Sequence, residues 1–173
     1  MSRAALGLVV ASLLLSAAGL APAAHAATSV TCLGTSTITF NPGLTLITKA
    51  VAYNLSDTYN CTSTDPAITS GISVRGSVLP LSCLNLASLF SSTNIYTITW
   101  NNGQISTADG TFTLSSVGGT IIVIAQGTIT SGLFTGATAV LTYVWPAPNP
   151  LACLTTQGVT QLTGVTTLQI TSL

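Results

Sequence analysis

Of 173 residues only three are Lys or Arg and three are Asp; there is no Glu, the one histidine is His25, and the formal net charge is zero. So few cations cannot neutralise a run of phosphates, which makes nucleic acid and anionic membrane surfaces poor partners. The side chains from which acid–base, nucleophilic and metal sites are built are also nearly absent, so the composition points away from catalysis and implies no cofactor.

The chain opens with Met1-Ser2-Arg3, an apolar run from Ala4 to Leu20, and the small-x-small triplet Ala24-His25-Ala26. This is the pattern of a secretory signal peptide over residues 1–26. The run is short for a membrane span and no later segment is apolar for as long, so no membrane anchor is expected after cleavage. Residues 27–173 then form one domain of ordinary size. It keeps Lys49 and Arg75 against Asp57, Asp65 and Asp109. Hydroxyls and amides must supply solubility, and with so little charge repulsion self-association is a risk or a use.

Thr, Val and Ile recur with a period of two, the signature of half-buried strands. Ile38 and Phe40 alternate with Thr37 and Thr39, and Asn41-Pro-Gly43 follows as a turn signal. A strand is expected around Leu44 to Tyr53, and Asp65-Pro66 starts a turn. Leu86, Leu89 and Phe90 fit one helical turn or a covering loop. Tyr96, Ile98 and Trp100 alternate with Thr97 and Thr99 before Asn101-Asn-Gly103, the strongest hairpin signal. Asp109-Gly110 reads as a further turn, Phe112 and Leu114 as inward residues, and Gly118-Gly119 as another turn. Ile121 to Ala125 is unbroken and apolar, suiting a central strand. Ser131-Gly132, Pro146-Ala-Pro-Asn-Pro150 and Gly158 punctuate the rest, and Leu162 to Ile170 should close the sheet. The expectation is an all-β domain, an immunoglobulin-like β-sandwich with a small closed β-barrel as the alternative.

Cys32, Cys61, Cys83 and Cys153 imply two disulfides in an exported chain, with no CxxC spacing to suggest zinc. Pro80-Leu-Ser-Cys-Leu84 and Pro150-Leu-Ala-Cys-Leu154 are near-identical settings, which favours Cys83 with Cys153 and therefore Cys32 with Cys61 among the three possible pairings.

Chemistry has few footholds. A Ser-Lys site would need Lys49, which reads instead as a single charge on an outer strand face. A carboxylate pair for glycoside hydrolysis would need two of the three Asp, but Asp65 and Asp109 fit turn chemistry. Trp145, Tyr143 and Trp100 are the candidate ligand face. Trp100 is in phase with Tyr96 and Ile98 and so also reads as core, while Trp145 stands where a strand meets a Pro-rich loop. Asn54-Leu-Ser56 and Asn60-Cys-Thr62 match the glycosylation pattern, which matters only in a host with that machinery.

Taken together, Thr31-Cys-Leu-Gly-Thr35, Asn41-Pro-Gly-Leu-Thr45, Ser82-Cys-Leu84, Ile98-Thr-Trp-Asn-Asn-Gly-Gln104, Val117-Gly-Gly-Thr120 and Gly127-Thr-Ile-Thr-Ser-Gly132 resemble an uncharacterised group of small secreted actinobacterial proteins. That resemblance implies export, two disulfides and a β-rich fold, and no activity. In composition and class the chain is also similar to the apoproteins of enediyne chromoproteins, secreted sandwiches that hold an apolar ligand, although their closely spaced cysteine pairs are absent here. The expected function is a secreted, non-enzymatic module that binds a neutral ligand, whether glycan, apolar metabolite or protein. The alternatives are a self-assembling extracellular protein with Thr120 to Ala125 as its nucleus, a protease inhibitor presenting a braced loop around Cys83, and an Asp- or Lys-based hydrolase. No sorting motif precedes Leu173, no lipid-attachment cysteine stands at the cleavage point and Arg3 has no twin, so release into the medium is expected.

Overall fold

The computed structural model describes residues 27–90 and 95–172, so the expected signal segment 1–26 lies outside it. Eight strands follow one another: β1 (Ser29–Leu44), β2 (Lys49–Ser63), β3 (Ser70–Leu81), β4 (Ile95–Trp100), β5 (Ile105–Val117), β6 (Thr120–Gly132), β7 (Thr138–Pro146) and β8 (Val159–Thr171). Each is antiparallel to the next, and β8 also pairs with β1, from Ser29 opposite Thr171 to Thr39 opposite Gln161. The result is a closed barrel, which corrects the expected immunoglobulin-like sandwich. An inside-outside alternation serves either architecture equally. The pairing of the last strand with the first decides between them, and it leaves no sheet edge at that seam.

Two turn signals are absorbed into strands. Asn41-Pro-Gly43 lies within β1, with a cis Asn41–Pro42 peptide where the register against β8 slips between Thr39 and Leu44. Asp109-Gly110 lies within β5, where Gly110 faces Gly127 of β6; a Cβ on either glycine would run into the facing backbone. Close approach of two strands, and not a reversal of the chain, explains that glycine. Asn101-Asn-Gly103 does form the hairpin turn, with Gly103 at φ 81° and its N–H donating to the Trp100 carbonyl at 2.9 Å. Leu86–Phe90 forms a 3-10 turn with Leu86, Leu89 and Phe90 all buried.

The stagger of the barrel follows from the registers. The row of paired residues beginning at Leu114 on β5 runs through Val123, Tyr143, Thr166, Gly34, Tyr59 and Gly71 to Trp100 on β4. Trp100 N–H donates to the Gln104 carbonyl at the start of β5, so one circuit descends ten residues, from 114 to 104. A stagger of about eight gives the tightly filled (β/α)8 core. A larger one tilts the strands further and widens the tube.

One end is sealed. Ile68, Ile129, Ala137 and Trp100 are buried there, Phe134 meets the Trp100 ring edge-on at 5.6 Å, and Trp100 Nε1 donates to Ser106 Oγ at 2.8 Å. β3 and β4 pair only beside this end, at Gly71–Trp100 and Ile72–Thr99, and are unpaired toward the other. Beyond that point the 3-10 turn Leu86–Phe90 packs against β3 and β5 and completes the wall. The disulfide Cys83–Cys153 ties the segment before this turn to the short helix Pro150–Cys153, so that end is stapled across. Cys32–Cys61 joins directly opposed residues of β1 and β2.

Each bridge restricts the unfolded chain, and the longer loop closed by Cys83–Cys153 corresponds to about 4 kcal/mol. Replacing both of its cysteines by serine should lower Tm by roughly 10 °C. Differential scanning calorimetry checks this, and an unchanged Tm would show that the staple contributes no stability.

Candidate functional site

β2 carries Leu55, Asp57 and Tyr59 in one phase, and all three side chains point into the barrel. Asp57 is only 1% exposed. Its Oδ2 accepts from Tyr143 Oη at 2.9 Å and from Tyr59 Oη at 3.3 Å, while Oδ1 has no hydrogen-bond partner. A half-satisfied buried carboxylate is costly, and such groups call for an explanation.

Around it, inward positions of five other strands bring more polar atoms. Ser36 Oγ on β1, Arg75 Nε on β3, Tyr96 Oη on β4, Trp145 Nε1 on β7 and Thr166 Oγ1 on β8 are all buried without a hydrogen-bond partner. Ser36 stands close enough to Asp57 to favour its charge, though outside good hydrogen-bond geometry. Thr166 stands beside Tyr59 in the same way. Six such atoms is an ordinary number for a chain of this size, but here they come from six strands to one region of the interior.

Arg75 is half-buried and reaches over three rings, with its Cζ 5.1 Å from the centroid of Phe112, 5.6 Å from Phe90 and 5.9 Å from Tyr143. Cation–π attraction in this desolvated setting is worth about 1–2 kcal/mol. Above the polar cluster Tyr143 and Trp145 stack at 4.6 Å and 11°, and Trp145 meets Phe90 at 5.9 Å and 25°. Gly164 makes room for this stack: a Cβ there would lie 2.8 Å from Trp145 Cδ1. Beyond it a cleft of about 260 Å³ opens at the stapled end, lined by inward residues including Leu86, Leu114 and Ile121.

The stagger also shows what faces Asp57. Strand β6 lies four strands from β2 in either direction and so stands diametrically across. Half of the ten-residue descent puts the level of Asp57 near Gln126, whose inward neighbours are Ala125 and Gly127. At that level β6 contributes one methyl group to the interior.

The candidate ligand face of the sequence is therefore not on the surface. Tyr143 and Trp145 are 1% exposed and line the interior beside the cluster, whereas Trp100 packs in the sealed end. Lys49 stands at the rim of β2 opposite Leu81, Asp109 is exposed on the outside of β5, and Asp65 caps its turn by accepting from Ala67 N–H at 3.0 Å. The barrel wall separates these carboxylates from Asp57, so the pair required for glycoside hydrolysis does not assemble. Among the described residues no group of three or more His, Cys, Asp or Glu is placed to hold a metal. The sequence offers Asp57 only as one of three carboxylates for hydrolysis and gives Arg75 no role, although Tyr53-Leu55-Asp57-Tyr59 and Gly71-Ser73-Arg75 place both in phase with inward positions.

Burial pushes the Asp57 carboxyl up, against the opposing pull of Ser36, Tyr143, the Arg75 charge and Tyr59. Burial and the neighbouring carboxylate also raise the Tyr59 and Tyr143 hydroxyls, and burial pushes Tyr96 up to about 12. A carboxyl raised in the folded state holds a proton that the unfolded chain has already lost. Its stabilisation is complete below pH 3.8 and disappears as pH rises through the folded value. Tm of the native protein should consequently fall, relative to Asp57→Asn, as pH is raised from 3 through that window. Calorimetry across pH 3–7 checks this, and a native Tm that rises relative to the variant would reverse the assignment.

No protein-family model, no curated protein and no solved structure matches this chain.

Proposed function

We propose that this protein is a secreted, non-enzymatic barrel that holds one small neutral ligand inside the tube. The supporting observation is the cluster of six buried, partnerless polar atoms around Asp57, beneath the Tyr143–Trp145 stack. Each orphaned group costs about 1–3 kcal/mol, and a guest that supplies the missing hydrogen bonds would recover much of that cost. Eight-stranded barrels either fill their interior with side chains or enclose one small ligand. The wide stagger and the bare arc at Ala125 and Gly127 favour the second use. Two disulfides are consistent with an extracellular site of action.

Self-assembly through Thr120 to Ala125 finds less support, because this part of β6 is hydrogen-bonded to β5 on one edge and β7 on the other. The segment offers no free edge for another copy. For the inhibitor alternative, Leu84 beside Cys83 is 80% exposed, but nothing else there marks a substrate-like loop.

Protein purified without denaturation from the medium of its producer should carry a guest at up to one per chain. Comparing native with denaturing mass spectrometry tests this. The expected result is a mass difference that vanishes on unfolding and is absent from protein carrying Trp145→Ala. Native protein that emerges empty, and binds nothing from the concentrated medium, would overturn the proposal.

A further inference from the structure

The chemistry of the cluster narrows the guest, if the barrel binds one as proposed above. Its free groups are complementary: Asp57 Oδ1 offers an acceptor, while Arg75 Nε and Trp145 Nε1 offer N–H donors that cannot accept. Ser36, Tyr96 and Thr166 present hydroxyls that adapt to either role. Tyr143 links the two ends, since its hydroxyl donates to Asp57 while its ring lies 5.9 Å from Arg75 Cζ. The guanidinium is close enough for its charge to act on the Asp57 carboxyl. The carboxylate and the guanidinium are opposite charges in one low-dielectric space, so a guest with a net charge of its own would be left uncompensated. The rings of Tyr143, Trp145 and Phe90, stacked on one another, give the cluster an aromatic wall.

We infer that the guest is a neutral, flat ring compound carrying an N–H or O–H donor next to a carbonyl acceptor, as in a lactam or cyclic urea. The donor meets Asp57 Oδ1, the carbonyl accepts from Arg75 Nε or Trp145 Nε1, and the ring face lies against the aromatic stack. A sugar fits less well, because its hydroxyls radiate in all directions and the walls next to the cluster are aromatic.

Four probes of similar size separate the possibilities: 2-quinolinone, with adjacent N–H and C=O; naphthalene, with neither; 2-naphthoate; and protonated 2-naphthylmethylamine. Titration calorimetry on the disulfide-intact protein, supported by tryptophan fluorescence, should show 2-quinolinone binding at least tenfold tighter than each of the others. Asp57→Asn and Arg75→Lys should each weaken 2-quinolinone by tenfold or more and leave naphthalene unchanged. The lysine keeps the charge and removes the planar Nε–H, so its effect isolates the hydrogen bond. Near-ultraviolet circular dichroism shows that each variant is folded. Equal affinity for naphthalene, tighter binding of either ion, or no binding of 2-quinolinone at millimolar concentration would each overturn the inference. A natural guest of other chemistry recovered from the medium would overturn it too, while leaving the ligand-binding barrel itself standing.

Discussion

Closure of β8 onto β1 is the constraint on which the rest of the molecule depends, because a sealed tube has an inside that water does not reach freely. In an open sandwich an inward Asp near an edge can turn toward solvent. Here Asp57 sits between Ser36 on β1 and Ser73 on β3, four strands from the opposite wall in both directions, and any compensation must come from other inward side chains. Tyr59 and Tyr143 supply two hydrogen bonds to one oxygen and Arg75 supplies an opposing charge. The other oxygen is left without a partner. Continuity of the wall makes this remaining deficit informative.

The two ends are built differently, and the difference follows from strand lengths. At the sealed end β4 turns tightly into β5 at Asn101–Gly103, which brings Trp100 over the axis and lets Ser106 relay its hydrogen bond to the Leu133 carbonyl at 2.6 Å. Polar atoms are satisfied there. At the stapled end β4 is only six residues long against twelve for β3, so the two strands part company early and a 3-10 turn fills the gap. A turn held by side-chain packing and one disulfide is less constrained than a hydrogen-bonded ladder. The aromatic stack and the open cleft are at this end, which on the proposed function is the way in and out.

How much of this was legible in the sequence can be judged residue by residue. Period-two alternation placed Ile38, Phe40, Tyr96, Ile98, Trp100, Phe112 and Leu114 on inward faces, and each faces the interior or is at least half-buried there. The closing role of Leu162 to Ile170 and the pairing of the cysteines were also readable. Sandwich and barrel were not distinguishable, since the stagger that closes a barrel resides in relations between distant strands and not in any local pattern. Asp109-Gly110 misled because turn chemistry is judged from a dipeptide, whereas Gly110 is there to let β5 approach Gly127. Asp57 reads in the sequence as one of three scattered carboxylates, although its phase with Leu55 and Tyr59 points it inward.

That exception bears on what the interior is for. Beyond its expected leader the chain has five ionisable Lys, Arg and Asp side chains, and it places Asp57 wholly and Arg75 partly inside. Replacing a buried ion pair by apolar residues of similar volume is often neutral or stabilising. A sequence so sparing of charge, and so well supplied with Val, Ile and Leu, had the simpler filling available. It instead gathers a carboxylate, a guanidinium, three tyrosines, an indole N–H and two hydroxyls from six strands around one point and leaves six of their atoms without partners. Stability alone does not account for that arrangement, and the proposed recognition of a small polar guest rests on it.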